Sequence, residues 1–219
     1  MTNLNPCSAA IRSRGWPWFT CLLAGGASLI HLLGWSEHLQ LDRTLVAEEL
    51  WRLFTGHLAH YSGNHLVWDI ALWLVFGAWA EQQDRTRFII SVLAATVTIS
   101  AGVLLLQPHF VLYRGLSGLD STAFAFVFAQ FALRGMRTHD LRMRLASWTA
   151  LAGFLLKCAY ETVFGATLFA DDTGFEPVPL AHLLGGLCGA ATVFEVRLHR
   201  HRRLTATAPA RSATEVASG

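Results

Sequence analysis

The sequence predicts an all-α membrane protein, a bundle of six transmembrane helices with both termini on the cytoplasmic side. Three observations carry that reading. Charged residues make up only 15% of the chain and hydrophobic ones 53%, whereas a soluble domain carries about a quarter charged residues. Six apolar stretches, 18–35, 58–80, 88–106, 116–133, 145–169 and 178–196, each approach the roughly 20 residues that a spanning helix needs. The basic residues are sorted between alternate connections. Arg12 and Arg14, Arg85 and Arg87, the run Arg134 to Arg144, and the tail from Arg197 to Arg211 fall on one side, and only Arg43, Arg52 and Arg114 on the other. The positive-inside bias makes the richer side cytoplasmic.

Taken in order, residues 1–15 read as a polar cytoplasmic lead. The first stretch is long and Trp-rich and lacks a small-residue cleavage site, which argues against a secretory signal. Residues 36–57 form the longest external connection, where Trp51-Arg52-Leu53-Phe54 suits an amphipathic piece lying in the interface. The second and third stretches are joined through Arg85 and Arg87. The fourth, opening at Leu116, is near the lower limit for spanning, and the fifth contains Lys157 and Glu161. The sixth follows Pro177 and Pro179. The membrane domain is expected over 16–197, with 198–219 a basic, disordered cytoplasmic tail. No internal repeat and no second domain is visible. Cys7, Cys21, Cys158 and Cys188 show no paired spacing, so apolar packing is expected rather than a disulfide framework. A net charge of +2, arranged by topology, gives no reason to invoke nucleic acid.

Ionisable residues inside spans are functional hypotheses by default. Ser117 opens the fourth span in Tyr113-Arg114-Gly115-Leu116-Ser117-Gly118, and His182 opens the sixth in Ala181-His182-Leu183-Leu184-Gly185-Gly186. Alone, Ser117 reads first as an N-cap serine, and His182 as a histidine bonded to a neighbouring helix. Together they form the minimum for an activated nucleophile. Ser117, Ser121, Ala125 and Ala129 recur at steps of four, as do Ala181, Gly185 and Gly189, with His182 and Gly186 on the adjoining stripe. Small-residue faces let helices approach in lipid, and contact of these two would bring hydroxyl and imidazole within hydrogen-bond reach. Gly115 and Gly118 flank the serine and, with Leu116 beside it, would let backbone approach a substrate. The helix start would favour an oxyanion.

His65 and Asp69 share a helix face. With His57 and His60 they could suggest a metal, but the histidines do not share one face and no second His-rich stretch exists, so neither metal nor other cofactor is expected. Lys157 and Glu161, at i and i+4, read as a mutually neutralising pair. Asp120, one turn below Ser117, is expected to orient His182 or to bond Ser121, without being a triad member.

These residues resemble the rhomboid intramembrane serine proteases. The similarity rests on Trp51-Arg52-x-Phe54-Thr55 before the second span, the His65-x-x-x-Asp69 pair, Gly115-x-Ser117-Gly118, and Ala181-His182-x-x-Gly185-x-x-x-Gly189. Thr55-Gly56-His57-Leu58 and the surroundings of Ser117 and His182 look most like the rhombosortase branch, associated with bacterial proteins bearing a C-terminal Gly-Gly motif, a transmembrane helix and a basic end. The resemblance implies an inner-membrane endopeptidase with Ser117 as nucleophile and His182 as general base. His65 and the Ser117 amide would hold the oxyanion, His60 would be structural, and single-pass membrane proteins would be substrates. Two positions depart from the family pattern. Asp69 stands where the family has Asn and would donate to the oxyanion if protonated, and Ser121 stands where the family has an aromatic residue or His.

Overall fold

A computed structural model describes the backbone of residues 15–165 and 178–206, with side chains as far as residue 194. It is mostly helical: α1 (Trp18–Leu32), α2 (Ser36–Leu39), α3 (Arg52–Thr55), α4 (Gly63–Leu72), α5 (Ala78–Leu106), α6 (Ser117–Arg137), α7 (Leu141–Phe164) and α8 (Pro179–Ala206). A π-helical turn, Trp73–Gly77, joins α4 to α5. By length and composition, one helical run among the described residues, Gly63–Leu106, is long and apolar enough to cross a membrane, and Trp18–Leu32 and Pro179–Phe194 are shorter apolar helices.

That long run is divided. At Asp84 the backbone leaves the helical region (φ −158°, ψ 89°). Asp84 Oδ1 accepts the Arg87 N–H at 3.2 Å, the N-cap bond that restarts a helix, and this separates the second apolar stretch from the third. α6 runs through the middle of the bundle, where Phe126, Val127, Ala129 and Ala132 are fully buried. The connection read as external is more ordered than its composition suggests. β1 (Leu41–Asp42) pairs antiparallel with β2 (Leu112–Tyr113), Leu41 opposite Tyr113. Sequence reasoning misses this pair because two residues carry no periodicity. Arg43 spreads its guanidinium over the end of α5, donating to the carbonyls of Val103, Leu104, Gln107 and Phe110 and complementing that end of the helix dipole. In the expected amphipathic piece Trp51 and Phe54 do face outward, but Arg52 is buried and donates to the Gln40 carbonyl.

The N-terminus of α1 has no cap of its own, because Pro17 offers no side-chain acceptor. Glu81 of α5 supplies one, accepting from the Phe19 and Thr20 amides at 3.3 and 2.9 Å and from Thr20 Oγ1 at 2.9 Å. Arg85 Nε donates to the same carboxylate at 3.0 Å. Trp73, also buried, donates its indole N–H to the Thr20 carbonyl. Glu81→Ala is therefore expected to cost about 3 kcal/mol, since buried amides lose their acceptor, and to lower the Tm of the detergent-solubilised protein. An unchanged Tm would remove Glu81 from this role.

The expected tail needs one revision. α8 continues to Ala206, through the first residues of the segment read as disordered, in keeping with the helix preference of its Arg and Leu residues. Residues 207–219, the lead before residue 15, Cys7, Pro177 and the Asp171-Asp172 pair lie outside the described residues. Cys21, Cys158 and Cys188 are free thiols.

Candidate active site

Ser117 is the first residue of α6, and no side chain caps it. Its position is set by distant groups instead. The Gly115 N–H donates to the Gly56 carbonyl at 3.2 Å, and the Leu116 N–H to Asp69 Oδ2 at 2.9 Å. Gly56 allows the first bond, since a Cβ there would lie 2.7 Å from the Leu41 nitrogen. The next two amides, of Ser117 and Gly118, find no hydrogen-bond partner among the described residues. They are the orphan donors of a helix start.

Gly115, Leu116 and Gly118 were expected to face substrate, yet all three are committed inside the protein and none lines the cavity described below. Gly115 has φ +126°, and a Cβ on it would lie 2.9 Å from His65 Cε1, so the glycine lets the His65 ring approach. Leu116 is fully buried. Gly118 packs against Ile99, the Tyr113 hydroxyl and the Ala181 carbonyl.

Asp69 Oδ2 collects three contacts: the Leu116 N–H, His60 Nε2 at 3.1 Å and His65 Nε2 at 3.3 Å. His60 Nδ1 lies 3.1 Å from the Leu58 carbonyl, which can only accept, so Nδ1 carries hydrogen. His60 Nε2 and Asp69 Oδ2 therefore hold one proton between them, as imidazolium and carboxylate or as imidazole and carboxylic acid. In either form Oδ2 still accepts from Leu116. The expectation that Asp69 donates toward an oxyanion is replaced by an anchor for the loop before Ser117. His60 belongs to the same anchor, and its amide also donates to Ser36 Oγ. His65 follows the N-cap Ser62 and stacks on Tyr61 (6.1 Å, 10°). The Arg114 guanidinium lies 4.8 Å over that Tyr61 ring. His57 is separate: buried and donating Nε2–H to the Thr96 carbonyl, it has its imidazole pushed down to about 4 by burial and stays neutral.

α6 and α8 meet closely, on a face one residue round from the expected one. A Cβ at Gly185 would lie 2.0 Å from the Gly118 carbonyl oxygen, and one at Gly189 2.2 Å from that of Thr122. The α6 stripe is thus Gly118–Thr122–Phe126, in place of Ser117–Ser121–Ala125. Thr122 can serve because its hydroxyl folds back onto the Gly118 carbonyl at 3.0 Å. Gly186 faces α7, where its Cβ would meet the Phe154 ring at 2.5 Å. Ala125 is buried, and Ser121 bonds the Ser117 carbonyl.

This rotation turns Ser117 and Ser121 into a cavity of about 520 Å³, which His65, Asp120, Glu161 and His182 also line. Trp68, Phe76, Phe124 and Phe154 supply apolar wall. Ser117 and His182 share the cavity, but the expected hydrogen bond between them is not formed; catalytic bonds are often long before substrate binds. Asp120 neither orients His182 nor bonds Ser121: both its oxygens are buried without a partner among the described residues.

His182 Nδ1 lies 2.8 Å from Glu161 Oε2 and 3.2 Å from Lys157 Nζ. Sequence reasoning paired Lys157 with Glu161, which the 2.8 Å separation bears out, but missed that the pair closes on His182. Two opposite charges inside a span were the available signal. Among the described residues no group of three or more His, Cys, Asp or Glu side chains is placed to hold a metal. A family profile described as "Rhomboid domain" matches residues 47–198. No curated protein matches the chain.

Proposed function

The chain belongs to the rhomboid family of membrane-embedded intramembrane serine proteases, and on that premise we propose that it cleaves single-pass membrane proteins near the external end of their transmembrane helix by a Ser117–His182 dyad. The observation that carries the reading is the shared cavity: Ser117 and His182, each near the start of its helix, both line it, and Gly185 lets those helices approach to backbone contact. In the proposed reaction Ser117 Oγ attacks the scissile carbonyl carbon and its proton passes to His182 Nε2. The oxyanion is met by the uncommitted Ser117 amide with His65 beside it. Collapse breaks the C–N bond as His182 returns the proton to the leaving amine. Water, deprotonated by His182, then attacks the acyl carbonyl, and release of the carboxylic acid restores Ser117. The scissile peptide must leave its helix, so Gly at the cut site suits it. The rhombosortase-like substrate, with a C-terminal Gly-Gly motif, transmembrane helix and basic end, is the class we favour.

The proposed setting is six spans in the bacterial inner membrane with both termini cytoplasmic, supported by the sorting of Arg residues. The missing Ser117–His182 bond and the committed Asp69 favour one second reading, a protein that binds transmembrane helices without cutting them. Fluorophosphonate labelling separates the two. The wild-type protein is expected to label, and Ser117→Ala and His182→Ala are expected to lose labelling. Absence of labelling in well-folded wild-type protein would leave the helix-binding reading.

A further inference from the structure

α7 is the least enclosed long helix of the bundle: of its 24 residues only Ser147, Cys158 and Glu161 are buried. Glu161 is 2% exposed and is held by polar contacts on both sides of its carboxylate. Oε2 lies 2.8 Å from His182 Nδ1, and Lys157 Nζ lies 2.8 Å from the same carboxylate and 3.2 Å from Nδ1.

Those contacts compete. An ammonium can only donate and a carboxylate only accept. A neutral ring therefore bonds one of them through Nδ1, not both. With hydrogen on Nδ1 the ring donates to Glu161 and leaves Nε2 as a lone pair. With Nδ1 bare it accepts from Lys157, and the hydrogen sits on Nε2. Only the first form can take a proton from a serine through Nε2. The shorter contact, charge-assisted and to an acceptor-only group, selects it.

We infer that Glu161 is a positioning residue for the reaction: it holds His182 in the Nδ1–H tautomer against the competing Lys157 ammonium, so that α7 completes a Ser117–His182–Glu161 arrangement. The inference rests on the serine-protease reading above. The same carboxylate also faces the imidazolium that forms when His182 accepts the serine proton, and offsets the neighbouring Lys157 charge at that moment.

The test compares wild-type protein with Glu161→Gln and Glu161→Gln/Lys157→Met, using ¹⁵N-histidine NMR in detergent, with His182→Ala to identify the resonance, and the rate of fluorophosphonate labelling. In the wild type His182 is expected to carry hydrogen on Nδ1. In Glu161→Gln, Lys157 takes Nδ1 and the hydrogen moves to Nε2. Labelling is expected to fall by about 10²- to 10⁴-fold, the upper figure being the cost of the carboxylate-to-amide change in a serine-protease triad. Removing the competing ammonium as well should recover at least about tenfold of that loss by the same tautomer argument. A wild-type tautomer in folded Glu161→Gln, or labelling equal to wild type, overturns the inference. If the single variant does not fold, the double variant, which buries no charge, decides: labelling below wild type supports the role, and equality with wild type overturns it. Because the tautomer is read without any reaction, failure of the serine reading, which is no labelling of wild type, is distinguishable from failure of this one.

Discussion

Gly185→Ala is expected to be the most damaging single methyl in the protein. Replacing a helical glycine by alanine ordinarily gains about 1 kcal/mol in helix propensity. Here the new Cβ would lie 2.0 Å from the Gly118 carbonyl oxygen and 3.0 Å from Thr122 Oγ1. The nearer obstacle is backbone and cannot swing aside, so α8 must move off α6. Overpacking costs about 1–3 kcal/mol, and separating the two helices adds lost contact along the Gly189–Thr122 crossing. A net loss of about 2 kcal/mol, the upper end of these opposing terms because the obstacle is backbone, is expected, with most of the serine labelling lost because His182 is carried away with α8. Gly25→Ala is the control of opposite sign. Gly25 is exposed on α1 and its Cβ would meet nothing within 4 Å, so the propensity gain of about 0.5–1 kcal/mol stands alone. Thermal unfolding of both variants in one detergent checks the pair of signs; a Gly185→Ala protein as stable as Gly25→Ala would refute the close crossing.

The second large effect is expected at Asp69. Asp69→Ala deprives the Leu116 amide and His60 of their common acceptor in a buried site. Breaking such a buried pair costs about 3–5 kcal/mol, and the loop that delivers Ser117 loses one of its two anchors, so labelling should fall with stability. Asp69→Asn is the more discriminating change. An amide oxygen at the Oδ2 position still accepts from Leu116. His60 must then supply hydrogen at Nε2 while its Nδ1 already faces the Leu58 carbonyl, which requires a charged ring with no counter-charge. Because the carboxyl brings the shared proton and the amide does not, Asp69→Asn is expected to be less stable than wild type by about 1–3 kcal/mol. Full stability of Asp69→Asn would show that no proton is shared there. Chemical or thermal unfolding measures both variants.

The helical class was legible because lipid solubility demands apolar runs of a certain length, and a run of that kind needs no tertiary information. The serine and histidine were legible because each is a polar group opening an apolar stretch. What escaped depends on distant pairings. Steps of four in α6 permit two neighbouring stripes, and the alternation of small residues favours Ser117–Ser121. The actual contact uses Thr122, whose hydroxyl bond to Gly118 flattens it, and no composition rule reveals that. Glu161 escaped because Lys157, four residues before it, already accounted for its charge. The approach of His182 depends on how α7 leans on α8. Asp69 was placed correctly beside His65, but its role turned on Leu116, an amide 47 residues away.

The bonds from Glu81 and Trp73 to the start of α1 bear on what counts as the domain. The family profile begins at residue 47, past the whole of α1, although both side chains lie within the matched stretch and satisfy their polar atoms on Phe19 and Thr20. A polypeptide trimmed to the matched stretch would keep a carboxylate and an indole N–H built for a helix no longer there. The segment recognised by descent is therefore smaller than the packed body, and α1 belongs to that body as much as any helix inside the match.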